Sequence, residues 1–228
     1  LRSINRLFNI LIGELNLLKL NNKNIEKISY NKIIKILEKN DYGKNNNLII
    51  PSMNSIGTVY CPFVSNNNLA GINSLQIVTS EIVPVGEFII TGNQGNIMKE
   101  SLKVALTAAS KILKNKLNTG FHVHIPLLSI KKDGPSAGLG FALAILSCIE
   151  NIVIPKYILV TGEIDIFGNI LEIGGINEKI RIASKYNYKT LLLPIENKVN
   201  LKNKKINLQY VANIQQAWKI IKDYSTII

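Results

Sequence analysis

Asp133-Gly134-Pro135-Ser136-Ala137-Gly138 runs directly into Leu139-Gly140-Phe141-Ala142-Leu143-Ala144-Ile145-Leu146-Ser147-Cys148-Ile149. The second part is apolar nearly all round, the pattern of a buried helix. Pro135 has a fixed φ suited to the start of a helix, and Asp133-Gly134 reads as the turn leading in. Ser136 then falls in the first turn, where backbone N–H groups lack intrahelical partners and the dipole favours negative charge. An oxyanion formed during acyl transfer could be held there. Small residues at Gly134, Ala137 and Gly138 would let another backbone come close. Ser136 is thus a candidate nucleophile. Serine is also a preferred helix cap, and the hexapeptide alone leaves both roles open.

A lysine 43 positions further on bears on that choice. Gly174-Gly175 ends a strand-like run, and residues 176–186 read as a helix. Ile176, Ile180 and Ala183 form one apolar stripe at helical spacing. Lys179 lies three residues after Ile176 and four before Ala183, so it shares the buried side. Arg181 and Lys185 point away from it. Burial disfavours the charged form of a lysine and lowers its pKa. A neutral lysine can take a proton from a serine hydroxyl and return it to a leaving amine. The alternative is a lysine whose stem is buried while its head reaches water.

Several blocks in one order carry a resemblance. They are Asp133 to Gly138, Gly174-Gly175-Ile176-Asn177-Glu178-Lys179, Thr91-Gly92 with Met98-Lys99-Glu100-Ser101, Phe121-His122-Val123-His124-Ile125-Pro126, Thr161-Gly162-Glu163-Ile164, and Leu193-Pro194 with Glu196-Asn197. Together, from about Gly57 to the C-terminus, they resemble the proteolytic domain of the Lon protease family. The resemblance implies an endopeptidase with a Ser–Lys dyad, here Ser136 and Lys179. It implies that Thr161 orients the lysine. Asp133, Gly134, Pro135, Ala137, Glu163, His122 and His124 match residues that line or support the site. It also implies an α+β fold with a ribosomal-protein-type core, mixed sheets and packed helices. Three departures stand out. Leu127-Leu128 replaces a usual Glu-Gly, Lys131 replaces a usual proline, and Tyr60 stands near the usual tryptophan beside an asparagine-rich insertion (Asn66-Asn67-Asn68).

The two histidines alternate with Phe121, Val123 and Ile125, which puts both on one face of a strand. Such a pair can ligate zinc, but a catalytic zinc needs a third protein ligand, and the chain has no other histidine. Glu163 or Asp133 could supply a carboxylate in principle. A Ser–His arrangement is a more serious rival to the dyad. The lysine pattern favours Lys179, so no metal is expected and the histidines are read as supporting residues.

The remaining strands are expected at residues 75–82, 87–91, 157–161, 169–173, 189–193 and 206–211. Met98, Leu102, Ala105, Ala109 and Ile112 mark one helix, and Ile214, Trp218 and Ile221 mark the last. Upstream, Leu7, Leu11, Leu15 and Leu18 give one helix its stripe, and Ile33, Ile36 and Leu37 a second. Residues 1–45 resemble, more weakly, the end of the small helical subdomain of the Lon ATPase module. Residues 46–55 read as a linker and 56–228 as the proteolytic domain. No G-x-x-x-x-G-K-[ST] sequence is present, so ATP and magnesium are expected to belong to an upstream module. Leu1 begins in mid-pattern without an initiator methionine, which reads as a piece of a longer protein.

The 228 residues are 46% hydrophobic and 18% charged, enough for one sizeable core with a small appendage. No run is long and apolar enough to span a membrane, and no signal or transit peptide is recognisable. Cys61 and Cys148 make no disulfide framework, and a reducing compartment is expected. A net charge of +12 could attract nucleic acid. The lysines are scattered among asparagines and isoleucines, which reads mainly as a compositional bias. A silent basic module binding RNA or DNA is therefore the alternative to the enzyme. The family resemblance implies unfolded or damaged protein substrates and a hexameric ring. The compositional bias suggests an AT-rich genome and a mitochondrial matrix, with bacterial cytoplasm as the alternative.

Overall fold

The computed structural model describes residues 2–20, 29–31, 33, 36, 54–64, 70–114, 117–126, 132–198 and 206–226. The chain divides into two compact units, Leu1–Leu48 and Ile49–Ile228. In the first, helix α1 spans Arg2–Leu20, and residues 30, 31, 33 and 36 are helical. Of the expected stripe, Leu11 and Leu15 are half-buried while Phe8 and Leu17 beside it are exposed, and the side chains of Leu7 and Leu18 lie outside the described ones. Leu37, the asparagine-rich segments 45–47 and 66–68, and the departures at Leu127, Leu128 and Lys131 lie outside the described residues.

The second unit is built on strands β1 (Thr58–Val64), β2 (Ala70–Ser80), β3 (Phe88–Thr91), β4 (Gly120–His124), β5 (Ile158–Val160), β6 (Glu163–Ile164), β7 (Ile170–Leu171), β8 (Thr190–Pro194) and β9 (Asn207–Val211). Seven of them form one sheet in the order β3-β4-β2-β1-β5-β8-β9, and β6 and β7 form a separate hairpin. β2 is antiparallel to both β1 and β4, and the other neighbours in the sheet are parallel. Helices α2 (Asn96–Leu113), α3 (Gly138–Glu150), α4 (Ile176–Lys185) and α5 (Ile214–Ser225) complete the unit. This is the mixed α+β architecture expected from the sequence.

The apolar run after Ser136 becomes α3, and every side chain from Leu139 to Leu146 is buried. Each such leucine, isoleucine or phenylalanine contributes roughly 1.5–3 kcal/mol on leaving water. The helix rests on β1 and β2 at Gly140. A Cβ there would lie 2.5 Å from Cys61 Sγ and 2.9 Å from Leu75 Cδ1, so only glycine allows this approach. Helices α2 and α5 share the same core, with Leu102, Ala105, Ala109, Trp218 and Ile221 buried beside α3. Along β4, Phe121, Val123 and Ile125 also enter it.

Helix α4 takes the other face of β1. Its leading residue, Gly175, abuts Val64, which by strand alternation points away from the side bearing Cys61. The element carrying the candidate nucleophile and the element carrying the candidate base thus lie on opposite faces of one strand. β1 and β5 pair at a single register, Tyr60 with Leu159. Beyond it, Pro62 has no N–H with which to extend a ladder. The long Lys179 side chain of α4 reaches Thr161, just after β5, whose hydroxyl also holds the Ser136 carbonyl.

Candidate active site

Pro135–Ala137 forms a single 3-10 turn, and Gly138 continues as α3. The turn is entered through Gly134 at φ +120°, a backbone state that side chains rarely adopt. Ser136 is half-buried. Its carbonyl oxygen accepts from the Gly162 N–H at 2.9 Å and from Thr161 Oγ1 at 3.2 Å. The Leu139 N–H donates in turn to the Gly162 carbonyl at 3.0 Å. The backbone of Ser136 is therefore fixed to the corner that follows β5.

Lys179 is 3% exposed, as its place on the apolar stripe of α4 predicts. Its Nζ donates to Thr161 Oγ1 at 3.2 Å. That hydroxyl spends its one hydrogen on the Ser136 carbonyl, so it can only accept from the lysine. Burial pushes the lysine down from 10.5 to about 8, slightly opposed by Cys61. The Cys61 thiol is itself pushed up to about 12 by burial, and it is neutral at pH 7. A lysine of this kind is substantially deprotonated in mildly alkaline solution. With one N–H given to Thr161, its lone pair is left for another proton.

Asp133 is exposed, and its Oδ1 accepts from the Met98 N–H at 3.1 Å and the Gly134 N–H at 3.0 Å. It caps the first turn of α2 and fastens the serine loop to it. A Cβ at Gly95 would lie 2.2 Å from this carboxylate. The preceding Lys132 is buried and donates through Nζ to the Gly92 carbonyl at 3.0 Å. Its main chain bridges Asn93 and Gly95, at 3.1 and 2.7 Å. The segment before Ser136 is thus sewn to the turn between β3 and α2.

Ser136 and Lys179 open onto one cavity of about 520 Å³. Asp133, Gly134, Pro135, Ala137 and Glu163 line it as well. Thr161 is wholly buried behind it. His122 and His124 are not among the lining residues. They do share a strand face: His122 Nε2 and His124 Nδ1 lie 3.1 and 2.8 Å from Thr91 Oγ1, on the neighbouring strand. No group of three His, Cys, Asp or Glu side chains is placed to hold a metal ion among the described residues.

Sequence reasoning missed Cys61, Asn73, Leu75, Met98 and Glu172, which also line the cavity. Cys61 and Asn73 are cross-strand partners on β1 and β2, and register of this kind has no local sequence signal. The buried anchor at Lys132 was also missed, because one lysine beside another reads as exposed.

Residues 27–222 match the model of the Lon protease (S16) C-terminal proteolytic domain. A Lon protease of Buchnera aphidicola from Schizaphis graminum is 34% identical over 224 residues, which cover 92% of this chain and 27% of that protein. The Lon protease of Escherichia coli K12 is 37% identical over 138 residues, 58% of this chain and 18% of that one. One from Fervidobacterium nodosum is 34% identical over 161 residues, 66% of this chain and 20% of its own. The chain spans about a quarter or less of the length of these bacterial relatives. With the serine turn, the buried lysine and the threonine between them all carried by the matched region, the chain belongs to the Lon protease family and holds its C-terminal proteolytic domain.

Proposed function

We propose that this chain is a serine endopeptidase in which Ser136 is the nucleophile and Lys179 the general base. The observation that carries the reading is the Thr161 hydroxyl, which holds both the Lys179 amine and the Ser136 carbonyl. Ser136 Oγ attacks the peptide carbonyl carbon while its proton passes to neutral Lys179 Nζ. The oxyanion develops beside the opening N–H of the turn, at Ser136. Lys179 then gives its proton to the leaving amine, and the C–N bond breaks to leave an acyl ester on Ser136. Water attacks this ester, and its proton goes to Lys179. The ester C–O bond breaks, and the proton returns to Ser136 Oγ. Asp133 and Lys132 hold the serine loop in place, and Glu163 forms part of the cavity wall.

In this reading residues 1–45 are the end of an ATPase helical subdomain, 46–55 a linker and 56–228 the proteolytic domain. The division into compact units after Leu48 supports it. ATP and magnesium act on a module outside this chain, which has no G-x-x-x-x-G-K-[ST] sequence. The substrates are unfolded or damaged proteins, and the working form is a hexameric ring. The named relatives are bacterial and give the mitochondrial-matrix expectation no support, so we place the protein in a bacterial cytoplasm. Among the described residues no helix is long and apolar enough to cross a membrane. The silent nucleic-acid-binding alternative is not favoured, since serine, lysine and threonine are all retained.

Mass spectrometry after incubation with a peptide boronate tests the chemistry. Wild type is expected to carry an adduct on Ser136, and Lys179→Ala is expected to carry none. An equal adduct in both proteins would refute the dyad.

A further inference from the structure

We infer that Asn73 selects the substrate side chain beside the scissile bond, favouring an uncharged side chain that ends in a carboxamide. This rests on the reading of Ser136 and Lys179 as the catalytic pair.

The cavity floor is otherwise apolar on this side, with Cys61, Phe63, Leu75 and Met98 around Asn73. Asn73 is 8% exposed, lines the cavity, and its carboxamide has no hydrogen-bond partner among the described residues. The buried side-chain polar atoms without a partner among the described residues belong to Tyr60, Ser74, Gln94 and Tyr188, so the Asn73 amide is open to the cavity and available to whatever fills it. A polar group kept in an apolar floor and turned toward a substrate cavity is a group held ready for a ligand. Its place in the sheet puts it near the chemistry. Asn73 stands directly opposite Cys61, and Cys61 is close enough to Lys179 for each to perturb the other's titration. Cross-strand neighbours have Cβ atoms roughly 5 Å apart.

The chemistry of the amide selects among ligands. It offers two donors and one acceptor oxygen, which a second carboxamide can match in both senses. An aliphatic side chain would fill the floor but leave the amide unpaired. A carboxylate side chain could accept from Asn73, but Glu163 and Glu172 line the same cavity without an ion pair or hydrogen bond of their own among the described residues. With Asp133 they outnumber the lining lysines, Lys132 and Lys179, and disfavour a further negative charge. A lysine side chain would be drawn to those two carboxylates at the wall, and would have to lose its hydration to reach the floor.

Matched tripeptide thioesters ending in leucine, glutamine, glutamate or lysine test this, with kcat/KM measured on the whole chain. Wild type is expected to prefer glutamine to glutamate and lysine. In Asn73→Leu the glutamine-to-leucine ratio is expected to fall about tenfold. The thermal midpoint is expected to stay close to that of wild type, since no hydrogen bond within the described residues is lost and the side chains are of similar size. Should that variant not fold, Asn73→Asp serves instead, with the glutamine preference expected to give way to lysine. An unchanged ratio in a variant that still acylates Ser136 overturns the inference and leaves the catalytic pair standing. A wild-type preference for lysine or glutamate overturns it too. Failure of every thioester to acylate Ser136 in wild type overturns the catalytic reading and the inference with it.

Discussion

Replacing Lys179 by methionine should make the protein more stable at pH 7 while removing its activity. Lys179 is 3% exposed, so its charge is held out of water. Burial lowers it from 10.5 to about 8. At about 1.4 kcal/mol for each factor of ten, holding the proton on the buried amine costs roughly 3 kcal/mol below pH 8. Methionine fills a similar volume and carries no charge. It loses the hydrogen bond to Thr161, worth about 1 kcal/mol, so a net gain of about 2 kcal/mol is expected at pH 7. The pH dependence separates this cause from better packing. Between pH 8 and 10.5 the native lysine has given up its proton while the unfolded chain still binds one, so wild-type stability rises with pH across that window. The advantage of Lys179→Met should therefore shrink as pH rises above 8, vanish near about pH 9.5, and become a deficit of about 1 kcal/mol above pH 10.5, where only the lost hydrogen bond remains. Urea unfolding of both proteins at several pH values measures it. A variant less stable than wild type at pH 7, or a difference that does not change with pH, would refute the reasoning.

The pH profile of kcat/KM should rise through about 8 and level off above it, because only neutral Lys179 can accept the serine proton; a profile flat between pH 6 and 9 would contradict this base. Thr161→Val keeps the shape of a wholly buried residue but removes the hydroxyl between Lys179 and Ser136, so acylation of Ser136 should slow by about tenfold or more while circular dichroism stays native. Gly95→Ala would set a Cβ 2.2 Å from the Asp133 carboxylate and break its cap on α2, at about 1 kcal/mol of stability and a larger loss of kcat than of binding; unfolding curves and steady-state kinetics on the same preparation would show whether both change.

The cavity joins groups that the fold supplies for different reasons. Thr161 sits where β5 ends, Ser136 where a buried helix begins, and Lys179 on a helix packed against the other side of β1. None of the three can shift alone, because two hydrogen bonds to one hydroxyl hold them together. The anchors at Asp133 and Lys132 extend that constraint to α2 and the turn at Gly92. Catalytic geometry of this kind works when it is fixed before substrate arrives.

The amino-acid sequence alone determined the two residues proposed for the chemistry. An apolar helix opening with Pro135-Ser136 and a lysine on the apolar stripe of α4 are local periodic patterns, and local patterns are written in the chain. The alternation of Phe121, Val123 and Ile125 with the two histidines was legible for the same reason, and β4 keeps it. The sequence also offered the histidines as neighbours of the site, yet they sit on Thr91 and do not line the cavity. A strand face is readable from its period, but what lies opposite that face depends on sheet order. Only the tertiary structure set β1 between the serine helix and the lysine helix, joined both to the Thr161 hydroxyl, and brought Cys61 and Asn73 together on the cavity floor. Those are long-range pairings, fixed when the whole core packs, and no stretch of residues encodes them by itself.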